Sequence, residues 1–217
     1  VAVVEQRDVR ANFPALFSGP GGRVLEWYEL RQLGIDRVAG FEADVVLLRA
    51  RDPWRYSQRL WAERQTGLLL RTDILAANGQ TLESEAFSEL IIDIKPQVEV
   101  IQNLLKRLEG YKVESVGWQV RNLPAGFREV QSARRSLGTP DDPRTPVVLQ
   151  AIFSDGLTHV SLFIEPFQPE RHQAQGSTAI GATHSLVLQR GTQWITVLGD
   201  VPVETLQRFV DALERRR

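Results

Sequence analysis

The chain has 217 residues, with 26 lysines and arginines set against 27 aspartates and glutamates, and it contains neither cysteine nor methionine. This balance excludes a global field that gathers nucleic acid or anionic lipid, so such a partner needs a local patch; the missing cysteines exclude disulfides, thiol nucleophiles and Cys-based metal sites. No run approaches the ~20 apolar residues of a membrane span, and no charged n-region precedes an apolar h-region, so the chain reads as soluble, and its start at Val1 as that of a mature form or a fragment.

In chain order, Val1-Ala2-Val3-Val4 is strand-like. Gly19-Pro20-Gly21-Gly22-Arg23 is Gly-rich, but Pro20 removes an amide donor and no Lys-Ser/Thr follows, so it reads as a flexible connection and not a phosphate loop. From Tyr28 to Asp93 the pattern predicts five antiparallel strands in meander order, broken near Gly34 to Gly40, at Arg51-Asp52-Pro53, at Gln65-Thr66-Gly67 and at the hairpin signal Asn78-Gly79. After Lys95-Pro96, Val98, Ile101, Leu104, Leu105 and Leu108 recur at helical spacing, with Gly110 at the stop. The polar stretch Tyr111 to Gly117 then reads as a linker between a first unit, 1–110, and a second, 118–217.

The second unit resumes with candidate strands at Phe127–Ser136, Val147–Ser154, Leu157–Glu165, Ile180–Gln189 and Gln193–Leu198, with loops at Gly138–Thr145 and Pro166–Ser177. It closes on a helix with Pro202 at its start and Leu206, Phe209, Val210 and Leu213 on one face; Arg215-Arg216-Arg217 is placed to complement the helix dipole. The expected class is α+β, an antiparallel sheet followed by a small antiparallel sheet backed by a C-terminal helix.

Few groups suggest chemistry. His159, His172 and His184 are scattered without metal-ligand spacing, which predicts no metal. A nucleophile elbow needs a glycine two residues to each side of the serine, but position 152 before Ser154 is Ile, and Asp155-Gly156 reads as a two-residue hairpin turn. Glu83, Glu85 and Glu89 lie where charged side chains meet water. No catalytic residue is assigned, no cofactor is implied, and an esterase lacks a nameable nucleophile-base pair. Trp54-Arg55-Tyr56 and Arg59-Leu60-Trp61 interleave arginines with aromatics, a mixture that suits anionic heads and acyl chains, or else a solvated sheet face. Arg128 to Arg135 is the better candidate for an acidic peptide.

Several short signatures occur in a collinear order: Arg55-Tyr56-Ser57, Thr66-Gly67-Leu68-Leu69-Leu70, Gly79-Gln80-Thr81-Leu82-Glu83, Leu123-Pro124-Ala125-Gly126-Phe127, Ser154-Asp155-Gly156-Leu157 and Val197-x-Gly199-Asp200-Val201-Pro202. Together they resemble the RseB/MucB family over nearly the whole chain. The resemblance implies a periplasmic regulator of the sigma-E (AlgU-type) envelope stress response, with a curved lipoprotein-carrier-like sheet, N-terminally incomplete here, and a smaller C-terminal domain. It implies a non-enzymatic protein that binds the periplasmic region of the anti-sigma factor RseA/MucA, shields it from the site-1 protease and senses lipid or lipopolysaccharide. The partner-binding candidates are Arg128, Arg134 and Arg135 with Ser154 and Asp155; the lipid-binding candidates are Trp54, Tyr56, Leu60 and Trp61. A homo-oligomer is left open, and the rival reading is a periplasmic lipid or lipoprotein carrier.

Overall fold

The computed structural model describes residues 24–92, 117–136 and 147–215. The helix expected over 98–108, the start of the chain through Arg23, the linker up to residue 116 and the loop at 138–145 lie outside the described residues. A single helical turn, α1 (Val24–Trp27), leads into β1 (Tyr28–Val38), β2 (Phe41–Ala50), β3 (Ser57–Glu63), β4 (Leu69–Leu75) and β5 (Thr81–Ala86). These form a five-stranded antiparallel sheet in the order β1-β2-β3-β4-β5, the expected meander.

Turn chemistry sets its register. The break expected near Gly34 is a bulge, with the pairing shifting between Gln32 and Gly34, and β1 continues to a tight turn at Ala39-Gly40. Both turn residues take positive φ, 48° and 86°, as a hairpin matched to strand twist demands. The β3–β4 turn is built on Glu63, whose carboxylate accepts the Thr66 N–H at 2.7 Å and its hydroxyl at 2.6 Å. The Thr66 contacts, with the Gln65 N–H, hold that carboxyl below the usual glutamate range. Successive β3 residues point to opposite faces. Leu60 packs with Val24, Tyr28, Leu48 and Leu69, whereas Trp61 packs with Ala43, Val45 and Leu70.

The second sheet has six antiparallel strands in the order β10-β11-β12-β9-β8-β7. They are β7 (Arg128–Ser136), β8 (Val147–Ser154), β9 (His159–Pro166), β10 (Gly176–Ile180), β11 (Thr183–Arg190) and β12 (Gln193–Gly199). The α2 helix (Val203–Asp211) lays Leu206, Phe209 and Val210 on Phe127, Phe153, Val160 and Val197 to make the core. Phe209 stands edge-on to Phe127 and Phe153, with centroids at 5.5 and 5.1 Å. Gly199 is required where β12 passes β9, since a Cβ there would lie 2.4 Å from the His159 carbonyl oxygen.

Four expectations are corrected. Strand 180–189 is two strands turning at Gly181-Ala182, because Gly181 adopts φ 60°. The Asp155-Gly156 turn is a four-residue loop, since Ser154 pairs with His159. The helix ends at Asp211 and Leu213–Arg215 is a strand, β13, paired antiparallel with β6 (Trp118–Val120), so Arg208, not Arg215, is the cation of the last helical turn. His172, expected in a polar loop, is buried, its ring stacked on Trp194 at 4.6 Å. Replacing Phe209 by Ala should cost about 3–5 kcal/mol, read as a lowered urea midpoint with an unchanged slope.

Candidate functional site

The loop between β2 and β3 carries Asp52, Trp54, Arg55 and Tyr56 toward the second sheet. The β8–β9 loop and the 123–127 segment meet it. Arg55 and Asp155 are each only 3% exposed. The Arg55 Nη1 lies 2.6 Å from the Asp155 Oδ2, its Nε donates to the Asp52 Oδ1 at 3.0 Å, and its Nη2 donates to the Ala125 carbonyl. The Tyr28 hydroxyl donates to the same Asp155 Oδ2 at 2.9 Å. The other carboxylate oxygen, Oδ1, accepts the N–H groups of Leu157 and Thr158, both at 2.9 Å. The rings of Trp27, Tyr28 and Phe127 surround the guanidinium at 5.2 to 5.7 Å, within cation–π range.

Each nitrogen of the Arg55 guanidinium and each oxygen of the Asp155 carboxylate has a partner, which is what burial of two charges requires. Burial alone would lower the Arg55 pKa, but Asp52 and Asp155 more than offset it and the net shift is upward. The Tyr28 phenol is pushed well above its ordinary value, by burial first and the Asp155 charge next. Gly126, at φ 91°, lies flat against Trp27, where a Cβ would come within 2.7 Å of the indole. Leu157 inserts among Val24, Tyr28, Leu48 and Leu60.

Two further contacts flank this centre. The Thr205 hydroxyl donates to the Trp54 carbonyl at 2.9 Å, and the Arg208 Cζ sits 4.0 Å from the Trp54 ring centre. On the other side the Glu83 Oε2 accepts the Ala182 N–H at 3.0 Å, so Glu83 is spent on the junction and does not simply meet water.

The sequence-predicted residues therefore divide. Ser154 and Asp155 are buried in the junction, the Ser154 hydroxyl donating to the Thr158 carbonyl at 2.9 Å. Arg128 and Arg134 are exposed on the edge strand β7, and Arg135 occupies the next position, opposite Val148. Trp54 and Tyr56 face α2 and β11, the Tyr56 hydroxyl lying 3.4 Å from the His184 Nδ1. Leu60 and Trp61 lie on opposite faces of the first sheet, and Trp61 donates to the Asp36 Oδ2 at 3.0 Å. The structure does not gather the four lipid candidates on one surface. Sequence reasoning missed Tyr28, Asp52 and Thr205, and read Arg55 as binding anionic heads or else as part of a solvated sheet face; the local signal was a charged residue inside each of two separated motifs.

A pocket of about 30 Å³ opens between β6 and the sheet, walled by Trp118, Leu149, Phe153 and Leu162 with Glu129 and Ser132 at its polar side. It has room for ordered water but is far smaller than a ligand pocket of ~300 Å³ or more. Among the described residues no group of three or more His, Asp or Glu side chains could hold a metal ion, and no helix is long and apolar enough to cross a membrane.

Two antiparallel sheets joined by buried, hydrogen-bonded charges define a two-part β-rich scaffold. Comparison with known proteins gives the family. The MucB/RseB N-terminal domain model matches residues 1–105 and the MucB/RseB C-terminal domain model residues 112–214; the chain belongs to the MucB/RseB family. The sigma factor AlgU regulatory protein MucB of Pseudomonas aeruginosa is 33% identical over 196 residues, 86% of this chain and 60% of that protein. The sigma-E factor regulatory protein RseB of Haemophilus influenzae is 30% identical over 219 residues, 96% of this chain and 64% of that protein. The chain thus spans 60% to 65% of the length of these relatives and of the Salmonella typhimurium RseB. The crystal structure of MucB in complex with MucA(peri) superposes with a TM-score of 0.68 at 32% identity, covering 93% of this chain and 72% of that one. The Pseudomonas aeruginosa MucA/MucB complex gives 0.70 at 30%, covering 99% and 73%.

Removing one charge of the junction, by Asp155→Ala or Arg55→Ala, should cost about 3–5 kcal/mol because the other is left buried and unpaired; the Arg55→Met/Asp155→Asn double variant, which keeps an oxygen for the Leu157 and Thr158 amides, should recover part of it in urea unfolding. Tyr28 supplies a pH test. Its folded pKa exceeds the unfolded value near 10, so the folded state holds more protons above that pH and stability falls as pH rises from there. Tyr28→Phe should flatten this alkaline loss in melts recorded from pH 8 to 11.

Proposed function

We propose that this chain is a periplasmic regulatory binding protein that holds the periplasmic region of a MucA/RseA-type anti-sigma factor. The observation that carries the reading is its similarity, over 99% of its length, to a MucB chain solved with MucA. The same reading divides the chain into domains at 1–110 and 118–217 with a linker at 111–117.

Shielding follows from occupancy, since a partner segment that is bound is closed to the site-1 protease. Lipid or lipopolysaccharide releases it by favouring an arrangement of the two sheets that binds the peptide less well. Opening the junction brings Arg55 and Asp155 into water together, so the charges lose a partner and regain solvation in one step, and the two arrangements need differ by only a few kcal/mol. Arg128, Arg134 and Arg135 on β7 supply positive charge for an acidic segment. The carrier reading is favoured by one observation, the exposure of Leu30, Leu33 and Ile35 along β1, apolar surface of a kind that suits an acyl chain.

Calorimetric titration with the periplasmic region of the anti-sigma factor, with and without a short-chain lipopolysaccharide fragment, separates the two. Micromolar or tighter binding that the fragment weakens is expected; binding of the fragment with none of the polypeptide makes the chain a carrier. Charge reversal at Arg134 and Arg135 to Glu should weaken polypeptide binding at least tenfold, and an unchanged affinity removes both from the site.

A further inference from the structure

The two large sheets have four edge strands, and they differ in how they are defended. Unpaired N–H and C=O groups on an edge invite another strand, and natural edges carry charges, prolines or bulges against it. The β1 edge has Glu29, Arg31, Asp36 and Arg37 and a register shift between Gln32 and Gly34. The β5 edge has Glu85, with Glu83 engaged by the Ala182 N–H, and a shift at its pairing with Ile74 and Leu75. The β7 edge has Arg128, Glu129 and Arg134 and a shift between Glu129 and Gln131.

The β10 edge has none of these. Its five residues, Gly176-Ser177-Thr178-Ala179-Ile180, include no charge and no proline, and pair with β11 without a shift. All five are exposed, Ile180 to 85%. No described strand lies on its outer side. The hairpin geometry states which groups face outward. The two-residue turn Gly181-Ala182, with Gly181 at φ 60°, makes Ile180 and Thr183 a hydrogen-bonded pair. Pairs alternate along an antiparallel ladder, so Thr178 bonds to Ser185 while Ser177 and Ala179 turn their N–H and C=O groups away from β11. The Thr178 and Ser185 hydroxyls, 2.8 Å apart, reinforce that register.

We propose that β10 is a strand-addition site that takes an extended segment of the partner polypeptide as a seventh strand of the second sheet. This rests on the partner reading above and names the mode of capture. Ser177 and Ala179 lie opposite Leu186 and His184 with their small side chains on one face; Gly176, which has no side chain, and Thr178 lie opposite Val187 and Ser185, with the Thr178 side chain on the other face. An added strand therefore meets small, uncharged side chains on both faces, with half-buried Leu186 on one face and Val187 on the other one strand further in, which favours an uncharged, β-prone segment. A second copy of the chain is the poorer occupant. Five residues are far from the ~20–30 per side of a stable rigid interface, whereas a flexible chain gains the backbone bonds first and continues across the surface.

Amide hydrogen exchange tests this, with the periplasmic region of the MucA-type anti-sigma factor as probe. Saturating partner should slow exchange at Ser177 and Ala179 at least tenfold, with Thr178 already slow without it. Ala179→Pro, which removes an outward N–H that β11 does not use, should weaken partner binding roughly tenfold and leave the urea midpoint within error. Binding that leaves the Ser177 and Ala179 amides unprotected and is indifferent to Ala179→Pro overturns strand addition but not the partner reading; no binding by the unaltered chain overturns both. Protection that rises with protein concentration in the absence of partner puts a second copy on the edge and overturns the assignment.

Discussion

The carboxylate of Asp155 serves two sheets at once, and the arrangement of the molecule follows from that. One oxygen closes its own loop by accepting the Leu157 and Thr158 amides; the other accepts Arg55 and Tyr28 from the first sheet. A loop built on one oxygen of a carboxylate fixes the direction of the second. Arg55 is then aimed from behind by Asp52 and kept dry by Trp27, Tyr28 and Phe127. The close approach at Gly126 is a consequence, because Trp27 covers the guanidinium only if the facing backbone carries no Cβ.

A weld of this kind is poor glue and good registration. Two charges taken out of water repay little net stability, but any other relative placement of the sheets strands at least one of them. The apolar insertion of Leu157 supplies non-directional attraction, while the ion pair and the backbone bonds at Trp54 and Ala182 supply direction. Hydrophobic contact tolerates sliding, and a satisfied charge network does not, so the charges set the relative placement of the sheets.

Much of the fold was legible from local chemistry. The meander from β1 to β5 follows from alternating apolar residues and turn residues, and α2 from the spacing of Leu206, Phe209 and Val210. What escaped were short or unpatterned strands whose partners lie far away in the chain. β6 and β13 have three residues each and exist because they pair with each other; β10 reads as loop because Gly, Ser, Thr and Ala carry no alternation. The junction was only half legible. Arg55 and Asp155 both sit in the motifs that carry the family resemblance, yet a single sequence holds no trace that residues 100 positions apart touch. For the same reason Ser154 and Asp155 read as an exposed turn, where the structure uses them internally, and the lipid candidates, adjacent in sequence, scatter because neighbouring strand residues look in opposite directions.

The pairing of β6 with β13 brings Trp118 beside Arg215, so the second unit begins and ends at one place. A unit with adjacent entry and exit points behaves as a cassette. It can be spliced into a surface loop of an unrelated host without stretching either chain, and tension applied across its ends unzips a three-residue ladder before it loads the six-stranded sheet.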